Sequence, residues 1–127
     1  MPTIERLMLD AQPEPISHYC HVTKAGNMIW VSGTVGVAAD GTVSDDVVEQ
    51  FEIAIANMDA CLTAAGASAE HVVKVTVYLT NVDDRRRINP IRQRYFGTHR
   101  PASTLVEVSA LVLPNLKVEI EAQAVLP

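Results

Sequence analysis

Cysteine is scarce in this chain. Of 127 residues only Cys20 and Cys61 are thiols, too few for a disulfide framework and too far apart for a Cys-x-x-Cys redox or zinc pair, so two free thiols are expected. Basic charge is scarce as well. Ten Lys and Arg stand against fifteen Asp and Glu, a net charge of −5, which leaves no cationic excess to neutralise a phosphate backbone; nucleic acid is not an expected partner. No apolar run reaches the roughly 18 residues of a membrane span, and Met1-Pro2-Thr3-Ile4-Glu5-Arg6 lacks the cationic lead and apolar stretch of a secretory signal. The expectation is a soluble, cytoplasmic protein with no membrane partner. There is no P-loop, GxGxxG, HExxH, GxSxG or EF-hand loop. The four histidines, His18, His21, His71 and His99, lack a helical i,i+4 ligand pair, so no metal is expected.

What is present is an ordinary core-forming composition, 48% hydrophobic and 20% charged, at the size of one domain; no repeat, low-complexity tract or composition shift marks a linker, and 1–127 reads as a single domain. Residues 3–9, 18–24 and 28–31 read as three strands, with Gly26-Asn27 a turn before the third. From Val47 the period changes: Val47, Phe51, Ala54, Ile55, Met58, Leu62 and Ala65 recur at steps of three and four, one stripe of a helix. Ser44, Asp45 and Asp46 suit its N-terminus and Gly66 its C′ position. Residues 72–80 alternate, with Val73, Val75, Val77 and Leu79 as the apolar set. A second helix is expected over 90–96, with Asn89 as N-cap, Pro90 in the first position and Gly97 ending it. Strands at 103–109 and 116–125 follow, the last with Val118, Ile120, Ala122 and Ala124 opposite Glu119, Glu121 and Gln123. The order βββαβαββ predicts an α+β fold, a six-stranded sheet with two helices on one face. An uncovered face carrying Tyr78, Leu105 and Trp30 would be an apolar patch, so self-association is expected.

Glu119 and Glu121 share one strand face, and paired carboxylates do acid–base work; alternating Glu is equally ordinary on a solvated strand, and Glu107 on the neighbouring strand has the same two readings. Arg85, Arg86, Arg87, Arg92 and Arg94 form a basic cluster able to hold a carboxylate or phosphate, or else a solvated loop and helix face. Cys20 is either a nucleophile or an idle thiol.

Several stretches together resemble the reactive-intermediate deaminase family, also called the YjgF or L-PSP family: Gly26-Asn27-Met28-Ile29-Trp30-Val31-Ser32-Gly33, Ala64-Ala65-Gly66-Ala67, Val72-Val73-Lys74-Val75-Thr76-Val77-Tyr78-Leu79-Thr80, Arg100-Pro101-Ala102-Ser103-Thr104-Leu105-Val106-Glu107-Val108 and Val118-Glu119-Ile120-Glu121-Ala122. The resemblance implies a chorismate-mutase-like fold, a homotrimer with pockets between subunits, and cofactor-free hydrolysis of an enamine or imine small-molecule substrate to a ketone and ammonia. By the family pattern Tyr19 lines the pocket, Ser32 and Gly33 shape its wall, Asn89 sits near its rim and Glu119 orients the attacking water. Two departures stand out. Ser17-His18-Tyr19 replaces a Gly-Pro-Tyr, and Pro101-Ala102-Ser103-Thr104 replaces a Pro-Ala-Arg-Ser segment, so that Ser103, next to Thr104, occupies the place of the arginine that grips the substrate carboxylate. A hydroxyl cannot replace a guanidinium fork. Amino-acid-derived imino acids are therefore expected to bind poorly unless Arg100, the first candidate, or Arg94 substitutes, with His18 an added donor. The leading reading is a hydrolase of altered substrate preference; the alternative is a non-catalytic trimer that binds or senses a small metabolite, with endoribonuclease a distant third.

Overall fold

The computed structural model describes residues 3–127; Met1 and Pro2, with which the expected domain and the leader reading begin, lie outside the described residues. The chain runs β1 (Ile4–Leu7), β2 (Val22–Ala25), β3 (Met28–Val35), α1 (Val47–Ala64), β4 (Val72–Leu79), α2 (Arg85–Phe96), β5 (Ala102–Glu107) and β6 (Val118–Val125), with short 3-10 turns at Ala69–His71 and Val82–Asp84. This is the expected order. The six strands form one mixed sheet, β1-β2-β3-β6-β4-β5, in which only β4 and β5 are parallel. No helix among the described residues is long and apolar enough to cross a membrane.

α1 packs on β3 and β6 through the predicted stripe: Val47, Phe51, Ala54, Met58 and Leu62 are almost wholly buried. Asp46 caps its start, its Oδ1 accepting from the Val48 amide at 3.2 Å. At its end Gly66 takes φ +86, which lets its own N–H reach the Thr63 carbonyl at 3.0 Å and the Ala67 N–H reach Leu62 at 2.8 Å, the two bonds of a Schellman closure. Across the sheet, Val118, Ile120, Ala122 and Ala124 of β6 meet this helix while Glu119 and Glu121 point to the other face, as their alternation requires.

Several elements differ from expectation, β3 among them, which runs on to Val35 rather than ending at Val31. α2 starts at Arg85, after a turn in which the Asn81 side chain accepts from the Asp83 amide at 3.1 Å, so Pro90 lies inside the helix and Asn89 is no cap. Pro90 removes one backbone bond to Arg86, but on the exposed side, where water serves the freed carbonyl, while Ile88, Ile91 and Phe96 bury the inner face. β2 is shorter than 18–24 because His21 is drawn inward: its Nδ1 accepts from the Leu9 amide at 2.9 Å, which leaves Nε2–H to donate to the Pro13 carbonyl at 3.0 Å. That contact also ends β1 before Leu9 and leaves His18 and Tyr19 in a bend. In β4 a bulge between Val72 and Lys74 breaks the alternation, so Val72 is buried and Val73 is 46% exposed. Finally β5 begins at Ala102 and ends at Glu107, and β6 begins only at Val118 although Leu116 is buried.

The face without helices is amphipathic. Met28, Trp30 and Val106 are exposed on it among Thr76, Tyr78, Glu119, Glu121 and Gln123. Leu105, expected there, lies opposite Val77 and packs on the core side. Replacing Asp46 with Ala should cost about 0.5–2 kcal/mol in urea unfolding through the lost cap. Arg87→Ala, which breaks only the exposed 2.7 Å pair to Asp46, should cost less than about 1 kcal/mol.

Candidate functional site

The predicted residues gather in two places. The first is the seam of β3 and β6. A register shift between Val31 and Thr34 leaves Ser32 and Gly33 as a bulge, and bulges re-aim side chains. Ser32 Oγ donates to the Cys20 carbonyl at 2.7 Å, tying the bulge to the bend that carries Tyr19. Opposite it, Glu119 folds its carboxylate over Gly33 so closely that a Cβ on Gly33 would overlap it. Only glycine leaves room for the acid. Tyr19, Ser32 and Gly33 also line a cavity of about 160 Å³ whose walls include Ile16, Val35, Val37, Val112 and Leu113. The loop forming its rim is pinned to α1 by Gln12 Nε2, which donates to the Asn57 carbonyl at 2.7 Å.

The electrostatics of this seam are set by its two carboxylates. Burial pushes Glu119 above the ordinary carboxylate range, and the charge of Glu121 adds to the rise. Glu121 is held by Tyr78, whose hydroxyl donates to its Oε1. That bond, followed by desolvation and by the charges of Glu121 and Glu119, pushes the Tyr78 phenol up to about 12. Tyr78 therefore stays protonated and fixes Glu121 in place, whereas Glu119 keeps a free, partly desolvated carboxylate. Sequence reasoning placed Glu119 correctly on its face and missed Tyr78 as the group that separates the two acids.

The second place is the edge of the sheet at β5. Asn89, Arg100 and Pro101 line a cavity of about 550 Å³ together with Arg92, Gln93, Phe96 and Gly97. Ser103 accepts from Arg92 Nη2 at 2.7 Å. Thr104, on the opposite side of the strand, accepts from Lys74 Nζ at 2.7 Å. β5 lies three strand spacings, about 14 Å, from β3 and two, about 9–10 Å, from β6, which carries Glu119. No hydrogen bond joins the two groups among the described residues.

The arginine expectations change accordingly. Arg94 is engaged by Glu52 at 3.2 Å, and the cation that contacts Ser103 is Arg92, not Arg100. The sequence signal was available once the helix is started at Arg85, because Ile88, Arg92 and Phe96 then fall four apart on the core-facing stripe. Cys20 and Cys61 are free thiols; burial raises the pKa of Cys61 despite the Gln12 contact, which disfavours a nucleophilic thiolate there. Among the described residues no group of three or more His, Cys, Asp or Glu is placed to hold a metal ion.

Comparison with known proteins agrees with this fold. A family profile described as Endoribonuclease L-PSP matches residues 9–126. A RutC family protein of Pyrococcus abyssi is 38% identical over 122 residues, covering 94% of this chain and 95% of that protein. A 2-iminobutanoate/2-iminopropanoate deaminase of Dermatophagoides farinae is 33% identical, covering 90% of each. Among solved structures, E. coli TdcF with bound serine superposes with a TM-score of 0.90 at 30% identity, covering 97% of this chain and 99% of that one. The chain belongs to the reactive-intermediate deaminase, or YjgF/L-PSP, family, and its mixed sheet with two helices on one face is that family's fold.

The raised pKa of Glu119 carries a stability consequence with a definite sign. An acid whose folded pKa lies above its unfolded value penalises folding once ionised, so the penalty is present above the folded pKa and absent below the unfolded one, near the ordinary glutamate value of about 4.3. Glu119→Gln should therefore melt at a higher temperature than the native protein at pH 8. That advantage should vanish as the pH falls to about 4, which calorimetry across the pH range checks.

Proposed function

We propose that this protein hydrolyses a small enamine or imine, with Glu119 holding the attacking water, in a cleft completed by a second copy of the chain within a homotrimer. The observation that carries this reading is the Glu119 carboxylate, free of a hydrogen-bond partner among the described residues, partly desolvated and laid over the Gly33 bulge beside the Tyr19 cavity. The relatives named as deaminases support the reaction class.

The chemistry balances without a redox step. An enamine takes a proton on carbon and gives one up from nitrogen to become the imine. Water adds to the electrophilic carbon, its proton passing by way of the carboxylate to the imine nitrogen; the resulting carbinolamine expels ammonia as its hydroxyl passes its proton to that nitrogen and becomes the ketone carbonyl. The protein need only orient the substrate, hold the water and stabilise charge. In this reading Tyr19, Ser32 and Gly33 form the wall on which the reacting carbon rests, with His18 beside it. Asn89, Arg100, Ser103 and Thr104 are supplied from the β5 edge of the neighbouring copy. The apolar side chains exposed around the seam, among them Ile16, Tyr19 and Val112, support such a neighbour, since bare apolar clusters of this kind mark interfaces. Ser103 in place of the family arginine supports an altered substrate preference.

Two measurements test this. Light scattering at micromolar concentration should give the mass of three chains, and a monomer would leave the cleft without its second wall. Ammonia release from imines generated in situ should fall about 10²–10⁴-fold in Glu119→Gln. The same assay should fall much less in Glu121→Gln, whose acid limb should move to lower pH because one of the charges raising Glu119 is gone. Full turnover in trimeric Glu119→Gln would reduce Glu119 to a polar strand residue. Saturable binding of a small metabolite without ammonia release by the native protein would instead leave a metabolite-binding trimer.

A further inference from the structure

Five arginines lie between positions 85 and 94, and their partners differ in kind. Arg85 pairs with Asp83 at 3.7 Å, Arg87 with Asp46 at 2.7 Å and Arg94 with Glu52 at 3.2 Å. These are exposed pairs of the sort that contribute little. Arg92 is different. It stands on the inward stripe of α2 between Ile88 and Phe96, is half-buried, and has no carboxylate within 4 Å among the described residues. Its one side-chain hydrogen bond there runs to Ser103 Oγ at 2.7 Å. Burial lowers its pKa with nothing to offset the desolvation.

A guanidinium has five donors in a planar fork. One is used by Ser103, and the group lines the 550 Å³ cavity that also receives Arg100, likewise without a carboxylate partner among the described residues, and the amides of Asn89 and Gln93. Removing a charge from water without a counter-charge is costly. One half-buried cation, Arg92, with the exposed Arg100 and two exposed amides around the same hollow, describes a receptor for a small anion, the planar fork of Arg92 being suited to a carboxylate.

We propose that Arg92, carried by α2 and braced by Ser103, is the residue that grips the carboxylate of the small ligand this cleft takes. This rests on the reading of the cleft given above and deepens it. Serine at position 103 then moves the cation rather than removing it: the short side chain leaves space for a guanidinium arriving from the helix and supplies the oxygen that orients it. The expectation that imino acids bind poorly weighs Arg100 and Arg94 as substitutes but not Arg92. Arg100, on the exposed connection before β5, is an auxiliary cation without a brace.

The test is calorimetric binding of 2-oxobutanoate, a stable carboxylate, against its neutral amide, with oligomeric mass and melting temperature checked for every variant. The native protein should prefer the carboxylate. Arg92→Gln should weaken carboxylate binding about 10- to 100-fold, the worth of a lost charged hydrogen bond, and leave the amide within about 3-fold, well under one such bond. Arg92→Lys, which keeps the charge without the fork, should fall between, and Arg100→Gln should lose less than Arg92→Gln. Native-like carboxylate affinity in Arg92→Gln, no preference for the carboxylate in the native protein, or no binding of 2-oxobutanoate at all overturns the proposal. Arg92-dependent binding in a protein that releases no ammonia from any imine would defeat the hydrolase reading while leaving this assignment intact.

Discussion

β6 is hydrogen-bonded on both sides, to β3 and to β4, and the rest of the arrangement depends on that insertion. A central strand must present one face to the helices, and Val118, Ile120, Ala122 and Ala124 do so. The alternation then obliges Glu119 and Glu121 to emerge on the opposite face, where burial is partial and charge is tolerable only with help. Tyr78 supplies that help to Glu121. Glu119 receives room instead of a partner, through a bulge and a glycine on β3. One ladder therefore builds the core and sets a partly desolvated carboxylate beside a cavity.

The charge distribution completes the picture. The chain is acidic overall, yet its two candidate half-sites have opposite character: paired carboxylates at the β3–β6 seam, and Arg92 with Arg100 at the β5 edge. β6, which carries both carboxylates, lies two strand spacings, about 9–10 Å, from β5 within one chain. Opposite charge on two separated surfaces favours their meeting across an interface between copies, where complementarity fixes register. A carboxylate ligand needs a cation at one end, and a polarised carbon at the other needs a water-holding acid; the proposed cleft would supply both.

Much of this was legible in the sequence because the signals were local and redundant. The α1 stripe, its acidic N-terminus and Gly66 agreed with one another, and the β6 alternation placed Glu119 on its face. The failures share a cause, which is that a distant contact overrode a local rule. Pro90 reads as a helix start, but Asn81 nucleates a turn earlier and the buried faces of Ile88 and Ile91 extend the helix through it. His21 reads as a strand residue, but its ring serves Leu9 and Pro13 and thereby shortens β1 and β2. Val73 reads as core until the bulge in β4 turns it outward. Arg92 was one of five arginines in a basic run, and its distinction emerges only when the helix is given its true start and its inner stripe is found to contain a cation.

The central claim is that the catalytic cleft is shared, Glu119 coming from one copy and Arg92 from its neighbour. It is tested most directly by combining two defective proteins, Glu119→Gln and Arg92→Gln, co-refolded in equal amounts so that their subunits mix. If the cleft is shared, about a quarter of the interfaces in randomly mixed trimers unite a native Glu119 with a native Arg92, and ammonia release at sub-saturating substrate should recover to about that fraction of the native rate although each parent alone is about ten-fold or more slower than native. Recovery no greater than the sum of the two parents, in trimers shown to contain both chains, would contradict it and return both residues to sites within a single chain.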